Sequence, residues 1–378
     1  FLRRLGHALA TYLRQKYPQG SLTVQIGGDT RASTPQITTW LSEGLAAQGI
    51  CVRRLFVVPT PAVSLAVRAQ KSQMGIAITA SHNPHTDNGV KLFDEQGLKL
   101  SKIEEEKIER LVDAQEELKT PADAVAPEAP DRSGANAYVD FARALLPPRA
   151  LADWKIVVDT ANGATSFTTP AVLEYLGASL ITLNNTPDGT NINLDCGSEH
   201  PEKLVKKVVE SQADLGIAHD GDGDRLLIVT REGALVDGDQ LLGVLALHLF
   251  EKLPLEKRIL VATVQSNLGL DRAIEKAGGK LVRVDVGDRN VLHKMVELGA
   301  PIGGENSGHI ILADACLCGD GLVAALALCR VLLESRRPLR ELCAGIPLFP
   351  QGTANLKVAE KIPLENCPAL SQTIQELE

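Results

Sequence analysis

A serine and a set of carboxylates, far apart in the sequence, are the residues whose types and spacing could do chemistry. Residues 79–84 read TASHNP and place Ser81 in a tight turn after an apolar run. Residues 220–225 read DGDGDR and place three carboxylates at alternate positions. A metal ion held by carboxylates, beside a hydroxyl that can carry phosphate, is the equipment of phosphoryl transfer. Together the two segments predict that reaction class.

Ser81 also has an ordinary structural interpretation, because Ser, Asn and Pro are common residues of turns. A hydrolase nucleophile elbow would need glycine two positions before and two positions after the serine. Thr79 and Asn83 occupy those positions, so the sequence does not support a serine hydrolase. A catalytic interpretation of Ser81 therefore depends on the carboxylates.

The carboxylates Asp220, Asp222 and Asp224 could belong to a calcium loop of the EF-hand type. That loop needs glycine at its sixth position and glutamate at its twelfth. Counted from Asp220, those positions hold Arg225 and Arg231, which excludes an EF-hand. The intervening glycines let the backbone bend so that the carboxylates converge, and without a cation they would repel one another. We predict Mg²⁺, which binds few protein carboxylates and completes its shell with water or phosphate oxygen.

A glycine-rich segment, residues 303–309, reads GGENSGH and offers an acid, an amide, a hydroxyl and an imidazole. Such a run suits hydrogen bonding to a polyhydroxylated ligand such as a sugar. Gly, Asn and Ser are also ordinary loop residues, so an unspecialised loop stays open as the alternative.

Short apolar runs recur along the chain, and segments of helical period follow several of them. The runs are residues 22–26, 75–78, 155–158, 215–218 and 259–262. This alternation predicts an α/β fold with buried strands and with functional loops at the strand ends. The similar units near residues 22, 156 and 260 predict repeated α/β domains. Residues 122–133 are predicted to be an exposed connection, and Pro147-Pro148 a domain boundary.

Length and composition predict a soluble protein of about two to four domains, since 378 residues exceed one ordinary core. No apolar run is long enough for a membrane span, and no signal peptide is expected. Seven scattered cysteines favour a reducing, cytoplasmic location. A net charge of −8 argues against nucleic-acid binding, and local Arg and Lys would have to attract an anionic ligand.

The three functional segments, in this order, resemble the motifs of the α-D-phosphohexomutases, and the resemblance extends over essentially the whole chain. The segments 187–189 with 191–193, 286–289 and 304–309 favour the amino-sugar branch of that family. The phosphomannomutase/phosphoglucomutase branch usually has methionine where Asn306 stands, and Gly-His where Gly287-Asp288 stands. That branch, a non-catalytic sugar-phosphate binder and a phosphatase are the alternatives.

The resemblance implies several similar three-layer α/β domains with mixed sheets around a central active-site cleft. The expected domains are 1–148 with the phosphoserine loop, 149–252 with the metal loop and 253–348 with the sugar-binding loop. Residues 349–378 are expected to begin a truncated, incomplete C-terminal phosphate-binding domain. The family's opening Gly-Thr-Asp-Gly-x-Arg-Gly segment and its Arg-x-Ser-Gly-Thr-Glu-Pro loop do not occur in the sequence.

The resemblance also implies a reaction. Phosphorylated Ser81 would donate its phosphoryl group to glucosamine phosphate, and the bisphosphate would turn and return its other phosphate. This exchange would interconvert the 6-phosphate and the 1-phosphate of glucosamine, on the route to UDP-N-acetylglucosamine. One Mg²⁺ per chain would be bound by Ser81, Asp220, Asp222 and Asp224. A bisphosphorylated hexose would be the activator, and the chain would be a monomer or homodimer without nucleic-acid or membrane partners.

Lys91 is the predicted general acid and base. The Asn88-Gly89 pair is a hairpin-turn signal, so Val90 and Lys91 are expected to run back beside the serine loop. An ammonium close to Mg²⁺ and Arg225 is expected to have a depressed pKa, which would make proton transfer feasible near neutral pH.

The remaining roles also follow from the resemblance. His82 would orient the phosphate or the base, and Asp29 and Arg31 would brace the loops. The expected substrate-binding residues are Glu305, Asn306, Ser307, His309, Arg225 and Arg289.

Overall fold

The computed structural model describes residues 1–114, 132–352, 358, 362–363 and 366–377. Nearly all of the predicted exposed connection at 122–133 lies outside those residues. The chain forms two compact units, Phe1–Leu348 and Phe349–Glu378. Within the described ranges, no helix has the length and apolar character needed to cross a membrane.

The first domain has a mixed four-stranded sheet with helices on both faces. Its elements are α1 (Leu2–Lys16), β1 (Thr23–Gly28), α2 (Thr34–Ala46), β2 (Cys51–Val57), α3 (Thr60–Gln70), β3 (Met74–Ile78), β4 (Val90–Phe93) and α4 (Lys102–Asp113). On one face Leu9 and Leu13 of α1, one helical turn apart, are buried with Ile76. On the other face Val63 of α3 packs with Ala77. The strand order is β2-β1-β3-β4, and only β4 is antiparallel.

The second domain repeats this arrangement with one more strand. Its elements are α5 (Ser133–Arg143), β5 (Lys155–Asp159), α6 (Thr168–Tyr175), β6 (Ser179–Leu183), α7 (Glu202–Ser211), β7 (Leu215–Ala218), β8 (Leu227–Thr230) and β9 (Leu235–Val236). The strand order is β6-β5-β7-β8-β9. Every residue of β7 is buried, as expected of a central strand covered on both faces. Helix α5 packs against both α3 and α6, and so joins the first two domains.

The third domain has the same sheet again. Its elements are α8 (Gly238–Glu251), β10 (Ile259–Thr263), α9 (Leu268–Lys276), β11 (Lys280–Val284), α10 (Asp288–Leu298), β12 (Ile302–Gly304), β13 (Ile310–Leu312), α11 (Gly321–Ser335) and α12 (Leu339–Cys343). The strand order is β11-β10-β12-β13, with β13 antiparallel. The second compact unit contains α13 (Pro368–Leu377).

All three sheets share one order of strands. In each, the second strand lies beside the first, the third lies on the other side of the first, and an antiparallel fourth strand follows. The predicted repetition of α/β units with mixed sheets is therefore confirmed. The predicted domain limits at residues 148, 252 and 348 stay predictions.

The largest of the apolar clusters runs through all three domains. Val63 of the first domain, Ile156 of the second and Leu260 of the third belong to one cluster of buried side chains. These domains are therefore packed together as a single compact unit.

The sheet of the first domain positions the serine loop. The buried strand β3 ends at Ile78, and β4 returns beside it with Lys91 paired to Ala77, as predicted. The connection is longer than the Asn88-Gly89 signal indicates, because it takes all of residues 79–89. Neither Asn88 nor Gly89 has the positive φ of a type I′ turn, so that part of the prediction was wrong.

Candidate active site

The loop between β7 and β8 carries the predicted metal ligands. Within the described part of the chain, Asp220, Asp222 and Asp224 form the one group of three or more potential ligands whose donor atoms all lie within 4.8 Å of one another. All three are buried. Gly223 has a φ of +74°, which glycine adopts readily and which lets the loop bend. The end of the sheet therefore presents three carboxylates at one point.

Ser81 lies directly against this cluster. Its Oγ donates a hydrogen bond to Oδ2 of Asp220 at 2.6 Å, across 139 residues of sequence. The backbones are equally close, because a Cβ added to Gly221 would lie 2.7 Å from the carbonyl oxygen of Ser81. Ser81 has a φ of +51°, which is uncommon for a residue other than glycine. The structure thus brings the predicted hydroxyl and carboxylates into contact.

A buried arginine of the first domain holds the serine loop in this conformation. Nε of Arg31 donates to the carboxylate of Asp29 at 2.8 Å, and both side chains are fully buried. The other nitrogens of Arg31 donate to the backbone carbonyls of Ser81 (3.0 Å), Asn83 (2.9 Å), Pro84 and Asp87 (3.0 Å). Asp29 and Arg31 therefore have the bracing position expected of them.

Replacing Arg31 by methionine should destabilise the protein by about 3–5 kcal/mol, because it leaves the buried carboxylate of Asp29 without its counter-charge and removes one donor from each of four loop carbonyls. Urea unfolding followed by circular dichroism measures the loss. Arg53→Met is the matched control, since Arg53 is an exposed arginine of the same domain. An unchanged unfolding midpoint in Arg31→Met would refute the bracing role.

The second domain holds the same loop from the other side. Nδ2 of Asn193 donates to the carbonyls of Ser81 at 2.8 Å and Asn83 at 3.0 Å. The backbone N–H of Ala32 donates to the carbonyl of Gly189 at 2.9 Å. The segments 187–189 and 191–193 thus contact the loops around Ser81. Asn193 belongs to a segment that the sequence analysis singled out. Its hydrogen bond to Ser81 could not be predicted, because the two residues are 112 positions apart in the sequence.

Lys91 contacts the two carboxylates of the cluster that Ser81 does not contact. Its Nζ donates to Oδ2 of Asp222 at 2.6 Å and to Oδ2 of Asp224 at 2.9 Å. Burial alone would lower the pKa of Lys91, but the two carboxylates outweigh it and hold that pKa well above its ordinary value. The expected depression is therefore not found, because the nearest charges are negative.

The carboxylates themselves fit a divalent cation. Burial, together with repulsion by Asp224 and Asp222, raises the pKa of Asp220 well above its ordinary value. Burial also disfavours ionised Asp224, yet Lys91 and His309 hold its pKa well below the ordinary value. Oδ1 of Asp222 and Oδ1 of Asp224 are buried and accept no hydrogen bond from the described residues. Hard oxygen ligands with unused lone pairs are the donor set that Mg²⁺ prefers.

Two further predicted residues lie at the rim of the cluster. Arg225 pairs with Glu199, with Nη1 and Oε1 3.1 Å apart. His82 is largely exposed. The pKa of its imidazole is lowered, first by the partial burial of the ring and second by the positive charge of Arg225, and this favours the neutral imidazole at pH 7. Arg225 therefore lies beside the carboxylates, whose charge acts on it, and His82 directly follows Ser81 in the chain.

The predicted sugar loop connects β12 to β13. Asn306 and Ser307 are exposed, whereas Glu305 is half-buried and accepts a hydrogen bond from the backbone N–H of Gly287 at 3.0 Å. Backbone bonds between Glu305 and His309 close the turn. The loop also contacts the metal loop, since the N–H of Leu226 donates to the carbonyl of Gly308 at 3.0 Å. The structure therefore brings the third segment to the same site.

His309 is buried between two carboxylates. Its Nδ1 lies 3.7 Å from Oδ1 of Asp224, and its Nε2 lies 3.5 Å from Oδ2 of Asp288. The ring fits because residue 319 is glycine, where a Cβ would lie 2.2 Å from the imidazole. His309 is thus enclosed by protein, unlike the exposed side chains of Asn306 and Ser307.

Arg289 contacts another protein residue in this structure. Its guanidinium donates hydrogen bonds to both carboxylate oxygens of Glu105. Nη1 donates to Oε2 at 2.9 Å, and Nη2 donates to Oε1. The neighbouring Asp288 pairs with Lys99. Both contacts join α10 to the region of α4 in the first domain.

Two residues at the site were not anticipated from the sequence. Thr60 donates its hydroxyl to Oδ2 of Asp222. His219, directly before the metal loop, is fully buried, and burial lowers its pKa to about 4, so the ring is neutral. Its ring nitrogens lie 3.1 Å from Oγ1 of Thr169 and 3.1 Å from the carbonyl of Arg225. In the sequence, only the position of His219 directly before Asp220 could have indicated that it lies at the site.

Comparison with known families accounts for almost all of the first compact unit. Three models of the phosphoglucomutase/phosphomannomutase family match the chain. They are alpha/beta/alpha domain I at residues 1–119, domain II at 136–233 and domain III at 237–349. The three matches follow the order of the three sheets.

Individual relatives agree. A phosphoglucosamine mutase from Carboxydothermus hydrogenoformans is 44% identical over 95% of this chain and 81% of its own length. Another, from Desulforamulus reducens, is 43% identical over 99% of this chain and 84% of its own length. The crystal structure of a Burkholderia thailandensis phosphoglucomutase/phosphomannomutase family protein superposes with a TM-score of 0.78 at 27% identity, covering 92% of this chain and 75% of that one. The chain therefore belongs to the phosphoglucomutase/phosphomannomutase family, in the branch of the phosphoglucosamine mutases.

Proposed function

We propose that this chain interconverts glucosamine 6-phosphate and glucosamine 1-phosphate through a phosphoserine at Ser81 and a bisphosphate intermediate. The observation that carries the proposal is the hydrogen bond of 2.6 Å between Ser81 Oγ and Asp220, within a cluster of three buried carboxylates. A hydroxyl seated on a candidate cation site is the arrangement that phosphoryl transfer needs. The family of the chain supplies the substrate class.

Ser81 Oγ carries the phosphoryl group in this mechanism. In the first half-reaction the bond between that oxygen and phosphorus breaks, and a bond from phosphorus to the free sugar hydroxyl forms. Lys91 is the proposed proton carrier, since its ammonium contacts Asp222 and Asp224, and a cation held by these carboxylates would offset the negative charge that raises the pKa of Lys91. The ammonium gives a proton to the leaving serine oxygen, and the amine takes the proton of the sugar hydroxyl, so Lys91 ends the step unchanged.

The three carboxylates are proposed to hold one Mg²⁺ ion together with an oxygen of the phosphate on Ser81. When bound, that ion would supply positive charge beside the oxygens of the transferring group, which is the main electrostatic demand of the reaction. Oδ2 of Asp222 accepts from Thr60 and Lys91, which orients this carboxylate.

The substrate is proposed to lie against the exposed side of the sugar loop. Glu305 and Ser307 would bind the 3- and 4-hydroxyls, Arg225 would bind phosphate, and His82 would orient the phosphate on Ser81. The bond from Gly287 to Glu305 already fixes this carboxylate, so less conformational entropy is lost on binding. A bisphosphorylated hexose would restore phospho-Ser81 after hydrolysis and so act as the activator.

A coupled assay that compares glucosamine, glucose and mannose 6-phosphates tests the proposal. Turnover with the highest kcat/KM for glucosamine 6-phosphate is the expected result. A higher kcat/KM for either other sugar would overturn the amino-sugar assignment. Release of inorganic phosphate without isomerisation would identify a phosphatase, and binding without turnover an inactive sugar-phosphate binder.

Asn306 is the proposed source of the amino-sugar preference. Its exposed amide can donate to or accept from groups near the sugar's 2-position, whereas the methionine usual in the other branch offers only packing. Asn306→Met should therefore reduce the preference for glucosamine 6-phosphate over glucose 6-phosphate by up to about tenfold, the value of one net hydrogen bond. The ratio of the two kcat/KM values is the measurement.

Asn306→Gln is the control for this prediction, because it keeps an amide while changing the reach of the side chain. The control should retain more of the preference than Asn306→Met. An unchanged ratio in Asn306→Met would remove Asn306 from the specificity site.

A reducing location is also proposed. All seven cysteines lie among the described residues, and all are free thiols. Free thiols throughout are typical of cytoplasmic proteins.

A further inference from the structure

Two ion pairs join the first domain to the third at the edge of the site. Arg289, in the first turn of α10, binds Glu105 of α4 through both carboxylate oxygens. Next to it, Lys99 of the first domain pairs with Asp288. The residues of each pair are 184 and 189 positions apart in sequence, so these contacts depend entirely on how the domains pack.

The segment that carries these pairs also supports the sugar loop. The backbone N–H of Gly287 donates to Glu305 at 3.0 Å. Asp288 lies 3.5 Å from Nε2 of His309, the last residue of that loop. Residues 287–289 therefore contact the sugar loop on one side and the first domain, which carries Ser81, on the other.

We propose that the Glu105–Arg289 and Lys99–Asp288 pairs form a latch that positions the sugar loop relative to phospho-Ser81 during transfer. This inference rests on the proposed mutase function. The four latch residues act through Glu305 and His309 and are positioning residues, because none of them touches the reacting hydroxyl.

The character of the Glu105–Arg289 pair suits a contact that opens and closes. The side chains of Arg289 and Glu105 are 30% and 36% exposed, and an ion pair of this exposure contributes little to folding stability. Two-point binding of a carboxylate by a planar guanidinium nevertheless fixes the geometry of the contact. This pair thus fixes an orientation and costs little to open, as a site that admits substrate and turns an intermediate requires.

Charge exchange tests the latch. The variants are Glu105→Arg, Arg289→Glu and the double variant, which restores the pair in reverse. Each single variant should lower kcat for glucosamine 6-phosphate by about tenfold and increase release of the bisphosphate into solution, and the double variant should recover most of both losses. Glu105→Gln gives the same test with less disturbance if a reversed variant fails to fold.

The control pair lies on the same helix. Lys294 and Glu297 of α10 are 2.7 Å apart, and among the described residues neither forms an ion pair with another domain. Exchange of these two charges should leave kcat and bisphosphate release unchanged. Equal losses in the control and latch variants would overturn the proposal, since any charge change on α10 would then have the same effect.

The alternative role of Arg289 as a substrate ligand gives a different pattern. Arg289→Glu would then abolish turnover, Glu105→Arg would have no effect, and the double variant would not recover, which would overturn the latch. Amide exchange supplies a readout without activity. Residues 102–113 and 288–298 should exchange faster in each single variant and regain protection in the double variant.

The exchange measurement separates this inference from the proposed function. A protein that turns over no hexose phosphate but shows the exchange pattern would refute the function and retain the contact between the domains. Unchanged exchange in both single variants would overturn the latch whatever the activity.

Discussion

The Ser81→Ala variant should keep its fold and lose both the phosphoprotein and all turnover. The hydroxyl is the only group of this residue that can carry the phosphoryl, and in the structure it lies on Asp220 at 2.6 Å. The loop itself is held by contacts to the Ser81 carbonyl, from Arg31 and Asn193, which the substitution leaves in place. The cost in stability should therefore be about that of one hydrogen bond, roughly 1 kcal/mol.

Intact mass spectrometry after incubation with a bisphosphorylated hexose gives the first readout, and the coupled assay the second. The wild-type chain should gain the mass of one phosphate, and Ser81→Ala should gain none. Ser33→Ala is the matched control, because Ser33 is an exposed serine that contacts the same loop through Asn88. Normal turnover in Ser81→Ala would rule out the covalent mechanism.

Replacing Asp222 by asparagine should weaken Mg²⁺ binding by at least about 100-fold and slow transfer in proportion. Residues that only orient metal ligands commonly contribute 10–100-fold to affinity, so a direct ligand should contribute no less. The substitution removes one of three converging negative charges and leaves a neutral amide with only one oxygen that can bind a hard cation. Calcium should bind without supporting normal turnover, since it prefers longer bonds and more ligands than this loop offers.

Isothermal titration with MgCl₂ measures the affinity directly, and the coupled assay with and without EDTA measures the consequence. Asp153→Asn is the control, because it removes the same charge from an exposed position of the second domain. Activity that survives both Asp222→Asn and EDTA would show that the carboxylates have a purely structural role.

The parts of the site that could be predicted are those whose residues lie within a few positions of one another in the sequence. Alternating Asp and Gly after an apolar strand required neighbouring carboxylates to converge, whatever the rest of the fold. The position of Ser81 at the end of a buried strand was similarly local. The order of the strands was less accessible, because β12 and β13 are only three residues each and carry almost no periodicity of their own.

What could not be predicted depends on contacts between distant segments. The donors that Arg31 supplies to the serine loop, the pairing of Arg289 with Glu105 and the burial of His309 all need the packed domains. The raised pKa of Lys91 has the same origin. From the sequence, Lys91 was expected beside positive charges, whereas in the folded protein its ammonium contacts Asp222 and Asp224.

The apolar cluster that the three domains share bears on how the chain behaves. The domains repeat one sheet pattern and each keeps a smaller apolar cluster of its own, yet the largest cluster runs through all three. Side chains such as Val63, Ile156 and Leu260 share one apolar interior, so damage in one module lowers the stability of its neighbours. The chain is therefore modular in its architecture and cooperative in its thermodynamics.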